Sequence, residues 1–184
     1  MWYNLNKIGD CVKKVYIVLT YTGTWLAKIV KFYTKKEYSH VSISLDENLE
    51  EMYSFGRLNP YIPFIGGFVQ ESPKYGTFKR FYKTKSVIYS LDVSDDTYEK
   101  IRKSIEEISE NRKSYSFNVI GLFIVPLGKK RRKERCFYCA EFVKYVLDNS
   151  LLEFDLPEII KPDDFSKIEE CKEIYKGMLN QYKM

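Results

Sequence analysis

The 184-residue chain sets 30 Lys and Arg against 25 Asp and Glu, leaving a formal net charge of only +5. With 45% hydrophobic and 30% charged residues, its composition is that of a globular domain and excludes a disordered tail or a collagen-like repeat. The basic excess is too mild for a dedicated nucleic-acid binder, and a single His is too few for the usual multi-His metal sites. Four cysteines, at positions 11, 136, 139 and 171, are too sparse for a disulfide scaffold, so reduced thiols and a cytoplasmic setting are expected. The length suits one domain over residues 1–184, with about 151–184 as an extension packed on it.

In chain order, Val15 to Tyr21 is continuously apolar at first and predicts a buried strand. Thr24 is placed to cap a helix over Trp25 to Tyr33. Ser39 to Leu45 alternates cleanly, with Val41, Ile43 and Leu45 on one face and His40, Ser42 and Ser44 on the other. A turn at Asp46-Glu47-Asn48 leads to a return strand over Glu51 to Phe55. The Gly- and Pro-rich stretch from Gly56 to Gly76 reads as a long surface loop with lid character.

Phe78 to Tyr82 and Val87 to Val93 read as further strands. Ser94-Asp95-Asp96 opens a helix whose buried stripe is Tyr98, Ile101, Ile105 and Ile108. Asn118 to Leu127 predicts a short apolar helix, Tyr138 to Asp148 a strong one, and Asp164 to Leu179 a last one. No apolar run approaches ~18 residues, so no membrane span is expected.

Two residues carry the chemistry. Cys139 opens the helix CFYCAEFVKYVL, and its helical neighbours Phe142, Val143 and Val146 are apolar, so the thiol points toward whatever that helix packs on. If that partner is the sheet bearing His40, a thiol and an imidazole meet at a helix N-terminus. There the helix dipole and a neighbouring imidazolium favour the thiolate nucleophile, and the exposed N–H of Cys139 can help hold an oxyanion. The competing reading is a buried Cys that only packs and a surface His. Cys136 and Cys139 also form C-x-x-C, which is read as a redox pair or half a zinc site; neither Cys11 nor Cys171 supplies the paired spacing that a zinc site needs. Nothing in the sequence calls for a metal or cofactor.

The string Tyr38-Ser39-His40-Val41-Ser42-Ile43-Ser44-Leu45 resembles the S-H-V-x-I-x-L histidine strand of the circularly permuted papain-like amidases. These form the permuted branch of the NlpC-type cysteine peptidases, with the YiiX-like proteins and, more distantly, lecithin:retinol acyltransferase. Phe137 to Leu147 is similar to that family's x-x-C-S-x-F-V-x-x-x-L helix, departing from it at Ala140 where Ser is usual. His40 precedes Cys139, which is the permuted order. The resemblance covers residues 13 to 150 in patches. It implies an α+β, circularly permuted papain-like fold: an antiparallel, partly barrel-like sheet with packed helices. It further implies a cysteine amidase or peptidase acting on an amide or ester of a peptide, a cell-wall fragment or a lipid.

The family also implies a third polar residue that orients the imidazole, on the strand after the His strand. A five-residue loop pairs Ser42 with Ser54 and puts Ser54 on the His40 face; a four-residue loop offers Glu51 instead; Glu71 is a more distant candidate. Finally, the basic run Lys129, Lys130, Arg131, Arg132 and Lys133 lies just before the Cys helix. It suggests a peripheral contact with an anionic membrane or an acidic ligand, and a non-catalytic binding module using the same pocket is the rival function.

Overall fold

A computed structural model of the chain describes residues 12–119, 121, 134–150 and 152–183. The expected apolar helix up to Leu127 falls largely outside those residues, as do Cys11 and the basic run Lys129 to Lys133. The fold is mixed α+β. Among the described residues six strands form one sheet, every neighbouring pair antiparallel, in the order β4 (Ile62–Glu71), β3 (Met52–Asn59), β2 (His40–Ser44), β1 (Val12–Tyr21), β5 (Lys85–Ser94) and β8 (Lys172–Met178).

The first two elements match the reading from sequence. β1 (Val12–Tyr21) is buried on both faces because it lies in the middle of the sheet, which is why its sequence is apolar without alternation. Thr24 caps α1 (Trp25–Thr34), its hydroxyl accepting from the Ala27 N–H at 3.4 Å. β2 (His40–Ser44) pairs with both β1 and β3 (Met52–Asn59).

Asp46 fixes the turn between β2 and β3. Its carboxylate accepts the N–H groups of Asn48, Glu50 and Glu51, at 2.8, 3.2 and 2.6 Å, and Leu45 N–H donates to Glu51 O at 3.1 Å. The loop is therefore the five-residue one. Ile43 faces Tyr53 and Ser44 faces Met52, so the same register sets Ser54 opposite Ser42 and Gly56 opposite His40.

Three expected elements are corrected. The stretch from Gly56 is not a surface loop: β3 runs on to Asn59, and β4 (Ile62–Glu71) returns along it. Its Gly and Pro content has structural reasons. Pro63 sits on an edge strand, where a missing N–H breaks no ladder. A Cβ on Gly66 would come within 2.7 Å of the Phe117 ring. The segment expected as a strand near Phe78 is instead a short helix, α2 (Gly76–Arg80). The tail expected as a helix is a 3₁₀ turn over Pro162–Lys167 followed by β8 (Lys172–Met178). That tail supplies the sixth strand, pairing with β5 (Lys85–Ser94). The sheet is open rather than barrel-like, because β4 and β8 stand at opposite edges and do not pair with each other.

Each face of the sheet has its own core. On one face, Val15, Ile17, Leu19, Val41, Ile43 and Phe55 meet α3 (Asp95–Glu110) and α4 (Cys139–Asp148). The stripe Tyr98, Ile101, Ile105 and Ile108 is buried as expected, and Tyr98 OH donates to Leu45 O at 2.9 Å. Phe142 of α4 packs its ring on Phe55 and Phe68, with centroids 5.5 and 5.7 Å away. On the other face, Tyr16, Val18, Met52 and Ile88 are covered by Phe78 of α2 and by Leu179. Among the described residues no helix is long and apolar enough to cross a membrane.

Candidate functional site

The N-terminus of α4 is anchored on several sides. Two short strands, β6 (Ser116–Phe117) and β7 (Cys136–Phe137), pair in parallel and deliver the chain to it. Glu141, in its first turn, reaches back to accept the Tyr138 N–H at 3.1 Å and the Asn118 side-chain amide at 3.1 Å. The Tyr138 hydroxyl donates to Ile160 O at 2.8 Å. Cys139 is therefore held in place, buried, at the positive end of the helix.

His40 is the first residue of β2, so its ring lies at the rim of the sheet, where the start of α4 also arrives. Its side chain belongs to the face opposite Val41 and Ile43, yet Cys139 and His40 line one pocket. The two act on each other electrostatically: a thiolate at Cys139 helps hold a proton on the imidazole. The other side of the ring is fixed by a carboxylate. His40 Nε2 lies 3.1 Å from both Glu71 oxygens, and Ser42 Oγ donates to Glu71 Oε2 at 2.6 Å. With Nε2 given to Glu71, Nδ1 is the nitrogen left to exchange a proton with the thiol.

The charges follow from this packing. Burial by itself pushes the His40 pKa down, but the Glu71 carboxylate and then Cys139 outweigh it and raise it from 6.5 to about 10. Burial pushes the Glu71 carboxyl up, and the His40 charge, aided by hydrogen bonds from His40 and Ser42 and by the nearby Ser54 hydroxyl, brings it below its usual 4.5. Imidazolium and carboxylate thus coexist across neutral pH.

Of the three residues weighed from sequence as third member, Ser54 and the more distant candidate Glu71 lie in the site and Glu51 does not. Ser54 is fully buried beside Glu71 and supports its charge, although its hydroxyl meets no partner at full hydrogen-bond geometry. Glu51 sits at the far end of the hairpin, 3.5 Å from Arg102. The residue that touches His40 is Glu71, on β4, one strand farther out. Its position in the site becomes readable once that segment is taken as a strand paired with β3. The register Met52 to Glu71 then places the carboxylate on the face that carries His40 and Ser42.

Gly56, across from His40, leaves the site its space. A Cβ there would lie 3.1 Å from Ser54 Oγ, 3.2 Å from Glu71 Oε1 and 3.4 Å from His40 Cε1. The remaining pocket wall is largely apolar, from Leu26, Ala27, Val30, Phe55, Phe78 and Phe117. Tyr21, at the end of β1, packs on the core with the Lys31 ammonium 4.7 Å from its ring centroid. Cys136, Cys139 and Cys171 are free thiols, and burial pushes Cys171 up to about 12. Among the described residues, no cluster of His, Cys, Asp and Glu has the makings of a metal site. No family model and no curated protein matches the chain.

Proposed function

We propose that the protein is a cysteine hydrolase, cleaving an amide or ester through Cys139, His40 and Glu71 on a circularly permuted papain-like arrangement. The observation that carries this reading is that Cys139 and His40 line one pocket, with His40 held from its other side by the buried Glu71. The permuted order, histidine strand before cysteine helix, and the motif resemblance of both segments support it. In this mechanism the Cys139 thiolate attacks an acyl carbonyl, and a tetrahedral oxyanion forms beside the Cys139 N–H at the N-terminus of α4. His40, as imidazolium, protonates the leaving amine or alkoxide, giving a thioester. Neutral His40 then takes a proton from water as it attacks, and acid and sulfur separate. Glu71 orients the ring and holds its charge; it does not touch the substrate.

A chloroacetamide probe tests the reading directly. It should alkylate Cys139 faster than the other three thiols, and that preference should vanish in His40→Gln. Equal labelling of all four thiols would sink the proposal.

Gly56→Ala offers a finer check. The new methyl displaces Ser54, Glu71 and His40 by a few tenths of an ångström without meeting backbone. Turnover should fall about tenfold through misalignment, while the thermal unfolding midpoint stays close to wild type. A turnover equal to wild type would mean the packing around His40 is not what sets its alignment.

A further inference from the structure

We propose that Arg57 forms an anion subsite beside Cys139, selecting acyl substrates that carry a carboxylate or phosphate near the scissile bond; this rests on the hydrolase reading above. Arg57 follows Gly56 in β3, where the ladder becomes irregular between Arg57 and Asn59, and it lines the same pocket as His40 and Cys139. The side chain is half-buried. Its Nη2 donates to Thr24 Oγ1 at 2.5 Å, and its guanidinium carbon lies 5.6 Å from the Phe81 ring centroid. Thr24 is itself fixed as the cap of α1 and lies 3.1 Å from Thr22 Oγ1, so the guanidinium is aimed rather than floating.

A guanidinium presents five N–H donors, and among the described residues one is used, on Thr24. Among the described residues no carboxylate forms an ion pair with it. The acid whose charge acts on Arg57 is Glu71, and the oxygens of Glu71 already serve His40 and Ser42. Burial lowers the Arg57 pKa, as befits a cation short of partners. Apart from the His40–Glu71 pair and Cys139, the wall is largely apolar. Unlike the His40 imidazolium, which Glu71 neutralises, Arg57 is an aimed cation with no carboxylate bonded to it among the described residues, and its planar fork matches the paired oxygens of a carboxylate or phosphate.

Alkylation of Cys139 by iodoacetate and by iodoacetamide, followed by mass spectrometry, tests the subsite without requiring turnover. The iodoacetate-to-iodoacetamide rate ratio should be about tenfold higher in the wild type than in Arg57→Gln, with Arg57→Lys in between, since the point charge remains while the fork is lost. On the wild-type protein, succinate or inorganic phosphate should slow iodoacetamide labelling of Cys139 saturably. The one effective at lower concentration identifies the anion class. A ratio unchanged in folded Arg57→Gln, or wild-type labelling indifferent to both anions, overturns the subsite. A Cys139 no faster than the other thiols would instead overturn the hydrolase reading, and the rate ratio would still be readable.

Discussion

Cys139→Ala should abolish turnover, lowering kcat/KM by on the order of 10⁴-fold or more, because no other group in the pocket can form the thioester. The fold should survive, since Ala fits the first turn of a helix and the Cys139 thiol is free of any disulfide. His40→Ala should lower turnover by roughly 10³–10⁴, but with a different side effect. It strands the buried Glu71 carboxylate with only hydroxyl partners, so stability drops as well. His40→Gln separates the two effects, because its amide can still donate to Glu71 while lacking any group that titrates near neutrality. Steady-state kinetics and urea unfolding of the three variants check this. Residual turnover within tenfold of wild type in Cys139→Ala would remove the nucleophile from the mechanism.

The second large effect belongs to Glu71. Glu71→Ala should cost about 3–5 kcal/mol of stability, the usual consequence of removing one partner of a buried ion pair. Glu71→Gln should fold better, keeping an acceptor for Ser42, but turnover should fall roughly 10²-fold as His40 loses its orienting charge. The pH dependence is more diagnostic. His40 has its pKa raised to about 10, so its contribution to stability is complete below its unfolded value of 6.5 and is lost as the pH climbs through about 10. Glu71 has its pKa lowered, so its contribution is complete above 4.5 and is lost as the pH falls through the depressed value. Stability from the pair is therefore greatest between 4.5 and 6.5 and declines toward pH 10. In Glu71→Gln the largest influence raising the His40 pKa is gone. The alkaline limb of the activity profile should then move toward neutral pH. An alkaline limb unmoved by the substitution would mean that Glu71 does not govern the imidazole.

Much of this was legible because local chemistry and tertiary packing agree. The α3 stripe, the Thr24 cap and the double-faced burial of β1 follow from residue spacing alone. The sequence located the turn at Asp46 but left its length open between four and five residues, and it is the bonds of the Asp46 carboxylate to the loop N–H groups that decide for five and set the position of Ser54. The third member of the site was obscured because Gly66, Gly67 and Pro63 look like loop chemistry. In fact two of these residues answer to a close ring and to the edge of a sheet. β8 was mistaken for a helix because Lys172, Glu173 and Lys176 are good helix formers, whereas on an edge strand they serve to keep it in water. The short helix at Gly76–Arg80 shows no periodicity long enough to tell it from a strand, so the packing of Phe78 under the sheet decides it.

β8 has a consequence for how the chain matures. β5 presents Val87, Ile88 and Leu91, all but inaccessible in the finished molecule, and its outer ladder is closed by residues Lys172–Met178. During synthesis that ladder stays open until the last strand leaves the ribosome. A chain cut short ahead of Lys172 therefore offers a long, apolar, unpaired margin to its neighbours, and self-association of such fragments competes with folding from the moment they appear.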